Sequence, residues 1–162
     1  MKIPLFKPQT EWIPPTDFPD LGKYDEIAVD LETKDPNLNE RMGSGSVVGV
    51  GDVVGISLAT HDWCAYYPIA HEGGGNMDRK MVLKWFQDQM KTDSTKIFHN
   101  AMYDVCWLRR LGIKIQGQIV DTMIAASLVD ENRFRYDLNS VSSDYTGLGK
   151  NETALQDAAK EW

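Results

Sequence analysis

A short apolar run that ends in two acids restricts what this chain can fold into. The run Ile27–Val29 leads directly into Asp30, Leu31 and Glu32. Such a run is typical of a buried strand, and side chains alternate along a strand, so Asp30 and Glu32 lie on one face. Two like charges held this close repel each other unless a cation lies between them. A strand end that runs into solvent would also carry two acids at little cost, so this spacing alone leaves both interpretations open.

The other apolar runs predict an α/β fold, in which a mixed sheet is flanked by helices. Strands are expected at 26–32, 52–60 and 63–70, with His61 and Asp62 joining the last two as a hairpin. A short strand at 96–100 and an extended segment at 113–120 follow. Asn76 or Asp78 can cap the first helix, and Asp121 is interpreted as a structural N-cap. Helices are predicted at about 78–91, 101–112, 122–130, 136–147 and 151–162.

Two segments lack a clear periodicity. Residues 1–25 contain five prolines, which predicts an extended leader lying on the domain, with Phe6, Trp12 and Phe18 as anchors. The domain itself is expected over 26–162. Residues 34–51 are rich in Gly and Ser and predict a mobile loop.

Composition excludes several classes of protein. The 162 residues are 42% hydrophobic and 25% charged, as in one soluble globular domain. No apolar run approaches the ~20 residues that cross a membrane, and no signal peptide is visible. Cys64 and Cys106 lie in apolar segments without metal-ligand spacing, which indicates reduced core thiols of a cytosolic protein. The net charge of −7 argues against a basic duplex binder, but not against an enzyme whose carboxylates hold metal ions that meet phosphate.

A third acid lies at a strand-to-helix junction. In the stretch FHNAMYDVCWL, Asp104 stands about one turn into a predicted helix, with Asn100 four residues earlier and Tyr103 beside it. Taken alone, Asp104 can serve the helix dipole, and Asn100 can cap the helix or face a ligand. His99 is most simply a turn histidine bonded to backbone. Together with the two strand acids, this set of hard oxygen ligands suits Mg²⁺ or Mn²⁺ rather than zinc. Paired ions of this kind support in-line attack on phosphodiesters.

The motifs VDLET, HNAMYD and DTMIAASLV resemble the DnaQ-like (DEDD) 3′→5′ exonucleases. More closely, the chain resembles the N-terminal proofreading domain of family A, polymerase-I-like DNA polymerases, particularly those of bacteriophages. The opening KIPLFKPQTEWIPP and the loop HEGGGNMD share this resemblance, which covers essentially the whole chain. It implies a ribonuclease-H-like fold and 3′→5′ exodeoxyribonuclease activity.

The resemblance also implies residue roles. Asp30 and Glu32 match the metal ligands of the first motif, and Asp104 matches the third metal carboxylate. A two-metal site of Mg²⁺ or Mn²⁺ is implied, acting on the 3′ end of single-stranded DNA. The implied partner is a polymerase region in cis or in trans, in the cytoplasm of a bacterial or phage-infected cell, without a membrane. The candidate substrate-binding residues are Thr33, His99, Asn100 and Tyr103.

One part of the family pattern is missing. The fourth carboxylate belongs to a Y-x-x-x-D or H-x-x-x-x-D motif, but no histidine follows Asp104, and Ser140 and Gly149 stand four residues after Tyr136 and Tyr145. The domain is therefore expected to be incomplete at its C-terminus, with weak metal binding, low activity and exposed apolar surface between residues 120 and 162. Two alternatives stay open: a catalytically inactive DnaQ-like module that binds DNA or a polymerase partner, and one half of a split polymerase.

Overall fold

The computed structural model describes residues 12–36, 38 and 43–149. Its strands are β1 (Glu26–Lys34), β2 (Asp52–Ala59), β3 (Cys64–Pro68), β4 (Thr95–Phe98) and β5 (Ile119–Asp121). Its helices are α1 (Gly45–Val48), α2 (Arg79–Met90), α3 (Ala101–Arg110), α4 (Thr122–Val129) and α5 (Leu138–Thr146). Within these residues the strands form one mixed sheet in the order β3-β2-β1-β4-β5, which confirms the α/β class. The chain divides into two compact units between Val120 and Asp121.

The acid-bearing strand β1 lies in the middle of the sheet. It pairs with β2 in antiparallel fashion along most of its length, from Ala28 opposite Ala59 to Lys34 opposite Asp52. Its parallel pairing with β4 covers only Glu26–Ala28. The carboxyl-terminal half of β1 therefore extends past the end of β4, and this side is open to the helix that follows β4.

The alternation along β1 matches the sequence expectation. Ile27, Val29 and Leu31 are buried in the core, whereas Asp30 and Glu32 are exposed. Burial of these apolar side chains stabilises the strand and fixes its register, because a slip by one residue would expose all of them. The two acids therefore share one face, as expected.

Several local predictions are confirmed. β2 and β3 form the antiparallel hairpin. Asp78 caps α2 by accepting a 2.8 Å hydrogen bond from the backbone N–H of Met81. Asp121 caps α4 by accepting from the N–H of Met123 at 2.9 Å. Phe98 and Trp107 are almost completely buried.

The segment before β1 packs on the domain within the described residues. The ring of Phe18 contacts the rings of Tyr67 and Trp85, at centroid distances of 5.6 Å and 5.4 Å. Trp12 contacts Tyr66 at 5.8 Å. The expected anchor Phe6 and the helix expected at 151–162 lie outside the described residues, and the domain boundary at residue 26 stays a prediction.

Two expectations are wrong. The sequence predicts a loop over 34–51, but Gly45–Val48 form α1, which Ser44 caps by accepting from the N–H of Ser46 and which ends at Gly49 with φ of 84°. Ser and Gly thus act here as a helix cap and a helix stop. Cys64 is not a core thiol: it begins the edge strand β3 and is exposed, while Cys106 is half-buried.

The second unit contains α4 and α5. A largely apolar cavity of about 420 Å³ lies between them, lined among others by Ala126, Val129, Leu138 and Val141. As expected, this part of the chain exposes large apolar side chains, namely Ile124, Leu128, Val129, Phe134, Leu138, Tyr145 and Leu148. In the part of the chain that the structure describes, no helix is both long and apolar enough to span a membrane.

Candidate active site

A hydrogen bond brings the two acidic motifs together. Asp104 is 3% exposed, and its Oδ1 accepts a 3.0 Å hydrogen bond from the backbone N–H of Leu31. Leu31 stands between Asp30 and Glu32, on the part of β1 that extends past β4. The short pairing between β1 and β4 leaves room for α3 to place its first-turn acid against this strand. Residues that are 73 positions apart in sequence therefore meet at one point.

The carboxylate of Asp104 lies in an unfavourable electrostatic environment. Burial, with a smaller contribution from the negative charges of Asp30 and Glu32, raises its pKa to about 7. The N–H of Leu31 opposes this shift because it stabilises the ionised form. Three acids thus interact across one region of the sheet, with the innermost one nearly excluded from water.

The side chains of Asp30, Glu32 and Asp104 are chemically suited to bind a hard divalent cation. Among the described residues, no three His, Cys, Asp or Glu side chains converge closely enough to hold a metal ion as they stand. The set nevertheless consists of carboxylates alone, which Mg²⁺ and Mn²⁺ prefer. A cation would also offset the repulsion that raises the pKa of Asp104. Asp30 and Glu32 are exposed and can turn towards an ion with little loss of packing.

A second hydrogen bond joins the neighbours of these acids. The hydroxyl oxygens of Thr33 and Tyr103 lie 2.6 Å apart. The register between β1 and β2 shifts between Glu32 and Thr33, and a bulge of this kind changes the direction of a side chain next to a site. Thr33 and Tyr103, two of the four candidate substrate-binding residues, are therefore in direct contact. Burial raises the pKa of Tyr103 above its ordinary value.

The structure places the remaining two candidates at the turn between β4 and α3. Asn100 is exposed and adopts the left-handed conformation, with φ of 64° and ψ of 55°. Its side chain makes no capping hydrogen bond, so the interpretation of Asn100 as a helix cap is wrong. Asn tolerates this conformation better than most residues, and such backbone is common at functional sites. His99 is half-buried beside it.

The β2–β3 hairpin places Tyr66 next to the acids, and no sequence motif indicates this residue. A Cβ on Gly55 would lie 1.9 Å from the hydroxyl of Tyr66, so this hydroxyl occupies the space of a side chain at position 55. Gly55 is the cross-strand partner of Glu32. Burial and the charge of Glu32 raise the pKa of Tyr66 to about 12, and its hydroxyl is hydrogen-bonded to Nε2 of His71. The only signal in the sequence is a glycine within a strand, which often marks a close approach.

A family model described as 3′-5′ exonuclease matches residues 18–162. The chain belongs to this 3′–5′ exonuclease family. The match includes all seven candidate site residues. The family assignment confirms the resemblance to the exonuclease domain of family A polymerases.

Known relatives agree with this assignment. A DNA-directed DNA polymerase of Pseudomonas phage M6 is 30% identical over 170 residues, which cover all of this chain and 26% of the polymerase. The chain thus spans about a quarter of the length of that relative.

Solved structures show the same fold at low identity. The Aedes aegypti Nibbler EXO domain superposes with a TM-score of 0.61 at 14% identity, over 85% of this chain and 66% of that chain. Brucella melitensis NrnC with bound Mg²⁺ superposes with a TM-score of 0.57 at 17% identity, over 87% of this chain and 62% of that chain. The ribonuclease-H-like exonuclease fold expected from the sequence is therefore confirmed.

Proposed function

We propose that this chain removes nucleotides from the 3′ end of single-stranded DNA as the proofreading exonuclease of a DNA polymerase. The observation that carries the proposal is the hydrogen bond from Leu31 to Asp104, because it gathers Asp30, Glu32 and Asp104 at one end of β1. The family assignment supports hydrolysis from the 3′ end. The phage polymerase relative supports DNA as the substrate and a polymerase region as the partner.

In this proposal the three carboxylates hold Mg²⁺ or Mn²⁺. When bound, such ions supply an activated water and stabilise charge on the leaving oxygen. Asp104 contributes a fixed ligand, because it is buried and held by the N–H of Leu31. Asp30 and Glu32 contribute ligands on the exposed face of β1.

The substrate strand would be held without base-edge recognition, because a proofreading enzyme must accept any sequence. Thr33 and Tyr103 lie next to the acids, and Asn100 is exposed at the start of α3. With a net charge of −7, the chain relies on bound cations to meet phosphate. Its place of action would be the cytoplasm of a bacterial or phage-infected cell, where the DNA is replicated.

A second candidate function is a DnaQ-like module that binds DNA or a polymerase without hydrolysis. The raised pKa of Asp104, about 7, favours this second function, because a protonated carboxyl group is a poor ligand for a metal ion.

A cleavage assay separates these functions. A single-stranded oligonucleotide labelled at its 5′ end is incubated with the chain and millimolar Mn²⁺, and products are resolved by length. The exonuclease proposal predicts a ladder shortened from the 3′ end, which Asp104→Asn abolishes. Asp88→Asn removes an exposed carboxylate on α2 and should leave the ladder unchanged. Binding of the oligonucleotide without any shortening would overturn the exonuclease proposal and support the binding module.

A further inference from the structure

Asp35 binds the beginning of the 43–51 segment, which contains α1. The carboxylate of Asp35 accepts hydrogen bonds from the backbone N–H of Gly45, at 3.0 Å and 3.1 Å, and from the hydroxyl of Ser44 at 3.3 Å. Hydrogen bonds to a charged group are stronger than neutral ones. Asp35 therefore fixes the start of α1 close to the end of β1.

Arg110, the last residue of α3, binds the same segment through three of its backbone carbonyl groups. The guanidinium of Arg110 donates to the carbonyl oxygens of Gly45, Gly49 and Val50, at 2.9 Å, 3.0 Å and 2.8 Å. The rigid, forked arrangement of donors in arginine suits such a cluster, and lysine would not reproduce it. The guanidinium also lies over the ring of Trp107, 5.3 Å from its centroid.

Gly45 shows how closely these parts are packed. A Cβ at this position would lie 2.4 Å from the carbonyl oxygen of Val50 and 2.7 Å from Oδ1 of Asp35. Neither distance is tolerated by real side chains, so the approach requires glycine. The 43–51 segment is thus packed tightly against Asp35 and α3.

The same carboxylate determines the direction of the hydrogen bonds at the candidate substrate-binding residues. The hydroxyl of Tyr103 donates to Oδ2 of Asp35 at 3.2 Å. A carboxylate only accepts, so Tyr103 uses its one hydroxyl proton here, and Thr33 must donate in the 2.6 Å bond between their oxygens. Both hydroxyl protons are therefore used within the protein. The group of Tyr103 that remains for a nucleotide is its ring, which packs edge-on against the ring of Trp107 at a centroid distance of 6.4 Å.

We propose that Asp35 and Arg110 are positioning residues for substrate binding, which hold the ring of Tyr103 and the 43–51 segment in place for the 3′-terminal nucleotide. This inference rests on the proposed function. Neither residue binds metal or touches the reacting atoms. Their loss should weaken binding of the DNA strand and leave the affinity for metal ions unchanged.

Steady-state cleavage of single-stranded DNA, with calorimetric titration of Mn²⁺, tests this separation. Asp35→Asn and Arg110→Gln should each raise KM for the oligonucleotide about tenfold, the effect of losing one or two charge-assisted hydrogen bonds. The kcat and the Mn²⁺ affinity should stay within about twofold of wild type. Arg109→Gln is the matched control, because it removes the same charge from the neighbouring exposed position and should leave KM within about twofold.

A double-mutant cycle tests whether Asp35 acts through Tyr103. Because one hydrogen bond joins the two side chains, the double variant Asp35→Asn with Tyr103→Phe should bind DNA no more weakly than the weaker single variant. Additive losses would overturn this part of the proposal. A drop in kcat or Mn²⁺ affinity as large as the rise in KM would overturn all of it, as would an equal effect of Arg109→Gln.

Two further measurements keep the outcomes distinct. If Arg110→Gln fails to fold, Arg110→Lys and the double-mutant cycle decide, and restored binding in Arg110→Lys would contradict the need for a forked donor.

If wild type shortens no DNA, the proposed exonuclease function fails. Fluorescence anisotropy of the labelled oligonucleotide in metal-free buffer then still compares Asp35→Asn, Arg110→Gln and Arg109→Gln, and equal affinities would overturn the inference.

Discussion

The backbone N–H of Leu31 donates a 3.0 Å hydrogen bond to Oδ1 of Asp104. Leu31 lies between Asp30 and Glu32, so this bond places a buried carboxylate against the strand that carries two exposed ones. Without a cation the arrangement is unfavourable, because like charges are held together and one of them is desolvated. The structure therefore has an electrostatic cost that bound metal ions would offset, and this cost can be measured.

Stability without metal ions should fall as the pH rises from about 4 to about 7. Burial and the nearby charges of Asp30 and Glu32 raise the pKa of Asp104 from 3.8 to about 7, so between these values the folded state keeps a proton that the unfolded state has lost. The loss in the free energy of unfolding is absent below pH 3.8 and complete above about pH 7. At about 1.4 kcal/mol for each pKa unit, it reaches at most about 4 kcal/mol. Urea unfolding in a chelating buffer across this range measures it.

Asp104→Asn should remove this pH dependence, because the amide does not ionise. Asp88→Asn, at an exposed position on α2, should keep it. The same slope in wild type and Asp104→Asn would show that another group is responsible.

Asp30→Ala should leave the fold intact and make the metal-free protein slightly more stable at neutral pH. Asp30 is exposed, and its negative charge raises the pKa of Asp104, so its removal relieves repulsion. The gain should be about 0.5 kcal/mol in the free energy of unfolding, as for other exposed charge pairs. Thermal unfolding in a chelating buffer measures it. A lower melting temperature than wild type would indicate that Asp30 serves the fold.

Gly55→Ala should destabilise the protein by about 1–3 kcal/mol, because the new methyl group has no space. The ideal Cβ would lie 1.9 Å from the hydroxyl oxygen of Tyr66, 2.4 Å from its Cζ and 2.5 Å from its Cε2. Urea unfolding gives the change. In a Tyr66→Ala background the cost should nearly disappear. In a Tyr66→Phe background it should persist, because the ring carbons still clash, and a full rescue there would contradict this geometry.

The local elements could be predicted from the sequence because their signals are local. The alternation in β1, the hairpin around His61 and the caps Asp78 and Asp121 all follow from residues within a few positions of one another. The shared face of Asp30 and Glu32 follows from the period of a strand.

Contacts over long separations could not be predicted in this way. The bond between Thr33 and Tyr103 spans 70 positions, and that between Gly45 and Arg110 spans 65. Neither is required by any local pattern, because each joins two segments that only the tertiary fold brings together. The left-handed conformation of Asn100 is likewise not indicated by its neighbours in sequence, and of the two roles left open for its side chain, the capping hydrogen bond is not formed.

The central claim is that Asp30, Glu32 and Asp104 form one metal-ion site, and calorimetric titration with Mn²⁺ tests it most directly. Wild type should bind Mn²⁺ at millimolar concentration or below, and Asp104→Asn should bind at least about tenfold more weakly, a loss of about 1.4 kcal/mol or more. Asp88→Asn should bind as wild type does. Equal affinity in wild type and Asp104→Asn, or no binding by wild type at millimolar Mn²⁺, would contradict the claim.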